Sequence, residues 1–220
     1  MSDDTPLPSP PPQGGRERKR APLILSGRGL TPERVAEAAR GRRPVALAPD
    51  ALERMRRSRA VVERAFAEDR AVYGLTTGLG ARVGHRLTPE DASDFSRQTI
   101  LGRANAVGPR LPAEAVRALM VVRANQMALG GSGAQPAIAR LLVDMVNAGV
   151  HPEVPSIGSI GAADLCQLAH LGLALIGEGK AEHGGALLPA GEALARAGLA
   201  PVALGPKDGL AICNSNAATA

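Results

Sequence analysis

Apolar residues recur at near-helical spacing over most of the chain, and glycine- or proline-rich stretches mark where that period breaks. From Pro49 to about Glu68, Leu52, Met55, Ala60, Val61 and Phe66 oppose an arginine-rich side, which predicts an amphipathic helix. The same reading predicts helices over Pro112 to about Leu129, Ala134 to about Ala148, Ala162 to about Ile176 and, shorter, Pro189 to Ala197. Loops at Gly130-Gly131-Ser132-Gly133, at Gly149 to Gly158 and at Gly177 to Gly185 join them. Thr31-Pro32-Glu33 announces a helix with an N-cap threonine and a proline at the first helical position, and Thr88-Pro89-Glu90 repeats the device. Leu23-Ile24-Leu25 suits a short strand. Residues 1–22 hold Pro8-Ser9-Pro10-Pro11-Pro12 and are too polar to offset ordering entropy by burial, so a disordered basic, proline-rich arm is expected there. No repeat of fixed period is present.

Composition sharpens the fold class. Hydrophobic residues make up 45% of the 220 but aromatics only 1%, so the core must be built from Ala, Leu and Val. That favours close-packed helices, and the expected fold is mainly α with little or no strand. The net charge is +5, with much of the excess in Arg16, Arg18, Lys19 and Arg20. A basic tail can attract nucleic acid, yet the base-stacking platform is missing, so nucleic acid is not an expected partner and a solvated tail is the reading kept. Cys166 and Cys213 have no CxxC spacing and read as buried structural thiols in a reducing compartment, without metal or disulfide framework. The chain has no apolar run of membrane-spanning length and no signal-peptide core at its start, so a soluble, cytoplasmic protein is expected.

Several segments could carry chemistry. Tyr73-Gly74-Leu75-Thr76-Thr77-Gly78-Leu79-Gly80 is a glycine-rich loop with the only tyrosine. A phenol, with a pKa of about 10, acts as a base near neutrality only if its surroundings lower that value. Taken alone, Tyr73 reads as a turn residue packed on a helix. Gly78-Leu79-Gly80 also begins a dinucleotide-binding pattern, but no strand feeds it and Gly84 falls one position late. Within Arg97 to Gly108, Arg103 either faces a site, favouring an anionic or carbonyl-bearing group, or is a solvated surface arginine. In Arg123-Ala124-Asn125, a buried arginine would need a carboxylate or several carbonyls, which points to a structural role. His170 alone reads as a satisfied core histidine.

In their order and spacing these segments, with Gly158 to His170 and Gly209 to Asn216, resemble the histidine and aromatic amino-acid ammonia-lyases from about Leu30 to Ala220. Family members cyclise the Ala-Ser-Gly of a Gly-Ser-Val-Gly-Ala-Ser-Gly-Asp-Leu run into a methylidene-imidazolone electrophile. Here the run is one residue shorter and reads Ala162-Ala163-Asp164. Cyclisation needs a serine whose hydroxyl leaves as water and a following glycine whose amide nitrogen reaches the preceding carbonyl. Ala163 offers only a methyl group, so the electrophile is expected not to form, and no other cofactor or metal is expected. Ser159 is the nearest serine, but Ile160 would crowd a cyclisation there.

The resemblance implies site roles position by position. Catalytic positions are Tyr73, as proton acceptor on a mobile inner loop, and Ala162, Ala163 and Asp164 at the electrophile position. Substrate-binding positions are Gly80, Arg103 (where the family has histidine) and Asn214, while Ala217 stands in place of a family glutamine. The implied reaction eliminates ammonia from an amino-acid-like substrate to leave an unsaturated acid, here in a non-standard form. The alternative is an inactive homologue serving in assembly or ligand binding. Family members are longer and form homotetramers, so residues 23–220 are expected to be an N-terminal half without the C-terminal bundle, partnered by self-association or by a C-terminal chain. Alone, this half would expose the apolar faces of Ala162 to Ile176 and Leu210 to Cys213.

Overall fold

The computed structural model describes residues 21–220 except 42, 89 and 90. The arm and its basic cluster lie almost wholly outside the described residues, as do Pro89 and Glu90.

Two helices form the centre, α4 (Ala113–Ala128) and α5 (Pro136–Ala148), joined through the glycine-rich stretch 130–133. Before them come α1 (Pro32–Ala39), α2 (Pro49–Ala67) and α3 (Asp91–Leu101), and after them α6 (Leu165–Leu175), α7 (Ala190–Arg196) and α8 (Asp208–Cys213). Val116, Leu119, Met120, Val121, Ala124 and Met127 of α4 are all buried, so this helix is apolar on nearly every face and runs through the core. Gly149 ends α5 in the left-handed conformation, φ 70°, where a side chain would be strained. The Thr31 hydroxyl accepts the Arg34 N–H at 3.5 Å and Pro32 opens α1, as the sequence predicts.

Strands are short and peripheral. β1 (Leu23–Leu25) pairs in parallel with β2 (Val45–Leu47), and the Asn147 side chain clamps both backbone groups of Val45. β3 (Val107–Arg110) pairs antiparallel with β5 (Pro155–Ile157). β4 (His151–Pro152), β6 (Lys180–His183) and β7 (Ala186–Pro189) make a three-stranded sheet with β6 in the middle. The expected loops at 149–158 and 177–185 therefore contain strands. Two to four residues cannot display an alternating pattern, and the pairing partner supplies the structure instead.

Two further expectations are corrected. On α2 the buried residues are Ala51, Met55, Val62 and Ala65, while Val61 is 59% exposed and Ala60 also faces out. The apolar stripe runs through the neighbouring positions, and the alanines complete it. The apolar faces of α6 and α8 are also covered within the chain: Leu168, Leu171, Leu175, Ile212 and Cys213 are fully buried as these two helices pack on each other and on α3. Gly172 allows the close approach, since a methyl group there would lie 3.1 Å from Ile100. Helix α6 starts at Leu165 rather than Ala162, because Gly161 takes φ 85° and Asp164 occupies the N-cap position.

Candidate active site

The loop from Tyr73 to Gly80 is held by its own backbone. The Val72 carbonyl accepts the N–H groups of Leu75 and Thr76, and the Thr76 hydroxyl donates to the Arg70 carbonyl. Tyr73 is 57% exposed, and its hydroxyl accepts the Gly80 N–H at 3.0 Å, which brings together two positions chosen from sequence. Gly74, at φ 66°, seats the loop on α8, because a methyl group there would lie 2.8 Å from the Leu210 side chain.

The segment before α6 is built around Asp164, which is fully buried. Its Oδ1 accepts the Ser159 hydroxyl at 2.7 Å, and its Oδ2 accepts the N–H groups of Ala218 at 2.8 Å and Thr219 at 3.0 Å. Its own N–H donates to the Ser215 carbonyl at 2.8 Å. Ala163 is buried beside it, whereas Ala162 is exposed. This segment thus meets the stretch just after Asn214. The Asn214 side chain is exposed and makes no hydrogen bond among the described residues.

Arg103 is half-buried just beyond α3, and its Nη1 donates to the Thr99 carbonyl at 2.9 Å. Among the described residues it has no carboxylate partner. It faces Cys213, whose thiol burial pushes up to about 12 although Arg103 and Arg123 act in the opposite direction.

Arg123, 5% exposed, donates through Nη1 to Gln126 Oε1 at 2.9 Å and through Nη2 to the Ala211 carbonyl. Burial pulls its pKa down to about 10. Carbonyl and amide oxygens, not a carboxylate, compensate it, in keeping with a structural role. The same Gln126 oxygen accepts the Ser215 hydroxyl, and Asn125 Oδ1 accepts the Gly27 N–H at 2.9 Å. His170 is satisfied on one side only: the ring bonds the Ala106 backbone, while its Nε2 is buried without a partner among the described residues, and burial lowers its pKa. The sequence reading missed the Ser159–Asp164 and Gln126–Ser215 contacts. The partners lie 5 and 89 residues apart, and only the hydroxyl of Ser159 between Gly158 and Ile160 offered a local signal.

The profile of the aromatic amino acid lyase family matches residues 30–220. The chain belongs to this family. The histidine ammonia-lyase of Gloeobacter violaceus is 46% identical over 197 residues, covering 89% of this chain and 38% of that protein. The histidine ammonia-lyase of Myxococcus xanthus is 44% identical, covering 89% of this chain and 39% of that one. Among solved structures, the ergothioneine-degrading ergothionase of Treponema denticola matches with a TM-score of 0.88 at 35% identity, over 90% of this chain and 40% of that one. Phenylalanine aminomutase of Pantoea agglomerans matches at 0.84 and 32% identity, over 89% of this chain and 38% of that one. This aromatic amino acid lyase chain thus spans about two fifths of the length of the relatives it matches.

For a member of the family, the described residues are mainly helical, as expected, and no helix among them is long and apolar enough to cross a membrane.

Proposed function

We propose that the chain is the N-terminal part of an ammonia-lyase-type enzyme that works without a methylidene-imidazolone group. The residues at 162–164 do not fit that group. Ala163 has no hydroxyl to lose, and the next amide nitrogen, at Asp164, is committed to the Ser215 carbonyl at 2.8 Å. This single contact carries the reading, since ring closure would have to break it and turn a buried, fully bonded aspartate.

The reaction is elimination from a small amino-acid-like substrate. Tyr73, exposed on its glycine-rich loop beside Gly80, takes a proton from the β-carbon. The electron pair left behind forms the carbon–carbon double bond as the C–N bond breaks, and the protonated α-ammonium group departs as neutral ammonia with that bonding pair. Arg103 and Asn214 each follow the C-terminal end of a helix, α3 and α8 respectively, and keep side-chain donors free for a carbonyl- or carboxylate-bearing substrate. Asp164 does not serve as acid or base here; it holds the segment in place. Completion of the site requires self-association into the family's tetramer or a C-terminal partner chain, which fits a span of 38% of a relative's length.

The loss of a leaving hydroxyl at Ala163 equally favours a second reading, a silent homologue kept for assembly or ligand binding. Ammonia release from a panel of amino acids, with the C-terminal portion supplied by co-expression, separates the two. The lyase reading expects turnover only with that portion present, abolished by Tyr73→Phe. No ammonia from any amino acid in the complemented protein would leave the silent homologue.

A further inference from the structure

Arg117 of α4 closes the C-terminal ends of two helices at once. Its Nε donates to the Ala39 carbonyl at 2.9 Å and its Nη2 to the Ala38 carbonyl at 3.0 Å, at the end of α1. Its Nη1 donates to the Val146 carbonyl at 2.7 Å, in the last turn of α5. A cation over the last carbonyls of a helix satisfies them and complements the dipole, and one half-buried guanidinium does this for both helices.

The same Nη1 lies 3.3 Å from His151 Nε2 on β4. An arginine only donates, so Nε2 accepts and the ring proton sits on Nδ1, which is buried without a partner among the described residues. His151 is thereby held as a neutral imidazole. The charged and titratable groups acting on its ring are Arg117 of α4 and, from the neighbouring strand β6, Glu182 and His183. Glu182 is shared with Arg110 of β3 at 3.5 Å, and Lys180 of β6 is exposed. Glu114, one turn before Arg117, is engaged by Arg40 at 2.9 Å. Helix α6, which also packs on β4, brings His170, whose charge partner is Glu153. Burial and the Arg117 charge outweigh Glu182 and hold the His151 pKa below its ordinary value.

We propose that Arg117 and His151 form an acid-released clasp: the guanidinium holds the C-terminal end of α1 while His151 is neutral, and a proton taken up from solvent at Nε2 opens it. With that proton, two N–H donors and two positive charges face each other across 3.3 Å, so the guanidinium turns away and its bonds to Ala38 and Ala39 go with it. The loss falls on α1, an eight-residue helix that buries only Ala38 and Ala39, whereas α5 stays anchored through Ile138, Leu142 and Met145. Neutral His151 contributes stability that is fully present above its ordinary pKa of 6.5 and is lost as pH falls through the lowered folded-state value.

Amide hydrogen exchange, compared at about pH 7.5 and about pH 5 after correction for the intrinsic rates, tests the clasp, with α1 expected to lose protection about tenfold or more in acid while α5 keeps its own. His151→Gln offers Arg117 an amide oxygen that does not titrate, so α1 should stay protected at both values. Arg117→Met should leave α1 unprotected at both. In the unsubstituted chain, ring-nitrogen chemical shifts should show neutral His151 with its proton on Nδ1, a readout that needs no variant to fold. An Nε2–H tautomer would overturn the proposal. So would α1 protection that acid leaves unchanged, that falls equally in His151→Gln, or that falls together with α5.

Discussion

The backbone N–H of Asp164 donates to the Ser215 carbonyl at 2.8 Å, tying the entry of α6 to the exit of α8. One bond joins the two segments that the family uses around its electrophile, and it occupies the nitrogen that ring closure would use. The Asp164 side chain extends the tie to Ala218 and Thr219. In this chain the altered segment works as a brace.

Asp164→Ala would leave the Ser159 hydroxyl and two backbone N–H groups without their charged acceptor. A loss of about 2–3 kcal/mol is expected, with Ser159→Ala costing about 1. Urea unfolding midpoints at constant slope measure both; equal, small losses would contradict the bracing role.

Gly209→Ala tests the α3–α8 contact. A methyl group there would lie 2.8 Å from the Ser96 carbonyl carbon, which is backbone and cannot swing away. The expected cost is about 3 kcal/mol, the upper end for overpacking, read as a lowered melting temperature.

How much of this was legible in the sequence varies by element. The helices from 32, 49, 113 and 136 stand where N-cap, proline and apolar spacing put them, because those signals are local. The short strands were not readable, since Val107–Arg110 is a strand only because Pro155–Ile157 lies beside it. The Asp164 contacts with Ala218 and Thr219 join positions 54 and 55 residues apart, and no periodicity encodes such a pairing. Helix α8 is six residues long and follows Lys207 at φ 69°, too short for its amphipathic pattern to stand out. The motifs around Tyr73, Arg123 and Gly209 were visible as residue types; that Gly209 is required by the Ser96 backbone was visible only in three dimensions.

Cys213 should be chemically silent in the folded protein. Its buried thiol, pushed up to about 12, keeps only about one part in ten thousand as thiolate at pH 8. Alkylation followed by peptide mapping should label Cys166 alone until the chain unfolds. Between pH 9 and 12 the unfolded chain loses the Cys213 proton while the folded chain keeps it, so stability from this group is present below pH 9 and lost as pH rises toward 12. The loss is bounded by about 4 kcal/mol, and Cys213→Ala should flatten the alkaline fall.

Tyr73→Phe separates chemistry from folding. The Gly80 N–H is exposed and takes water in place of the phenol, so stability should shift by no more than about 0.5 kcal/mol. Turnover by the complemented enzyme should fall about 100-fold or more. A variant that keeps full turnover would remove Tyr73 from the reaction.

The most direct measurement is the intact mass of the purified chain, taken with its ultraviolet difference spectrum before and after borohydride. A chain in which Ala162-Ala163-Asp164 stays linear has the mass its sequence dictates and no borohydride-sensitive band. A mass lower by lost water, together with a band that borohydride removes, would show that an electrophile forms and would contradict the proposal at its centre.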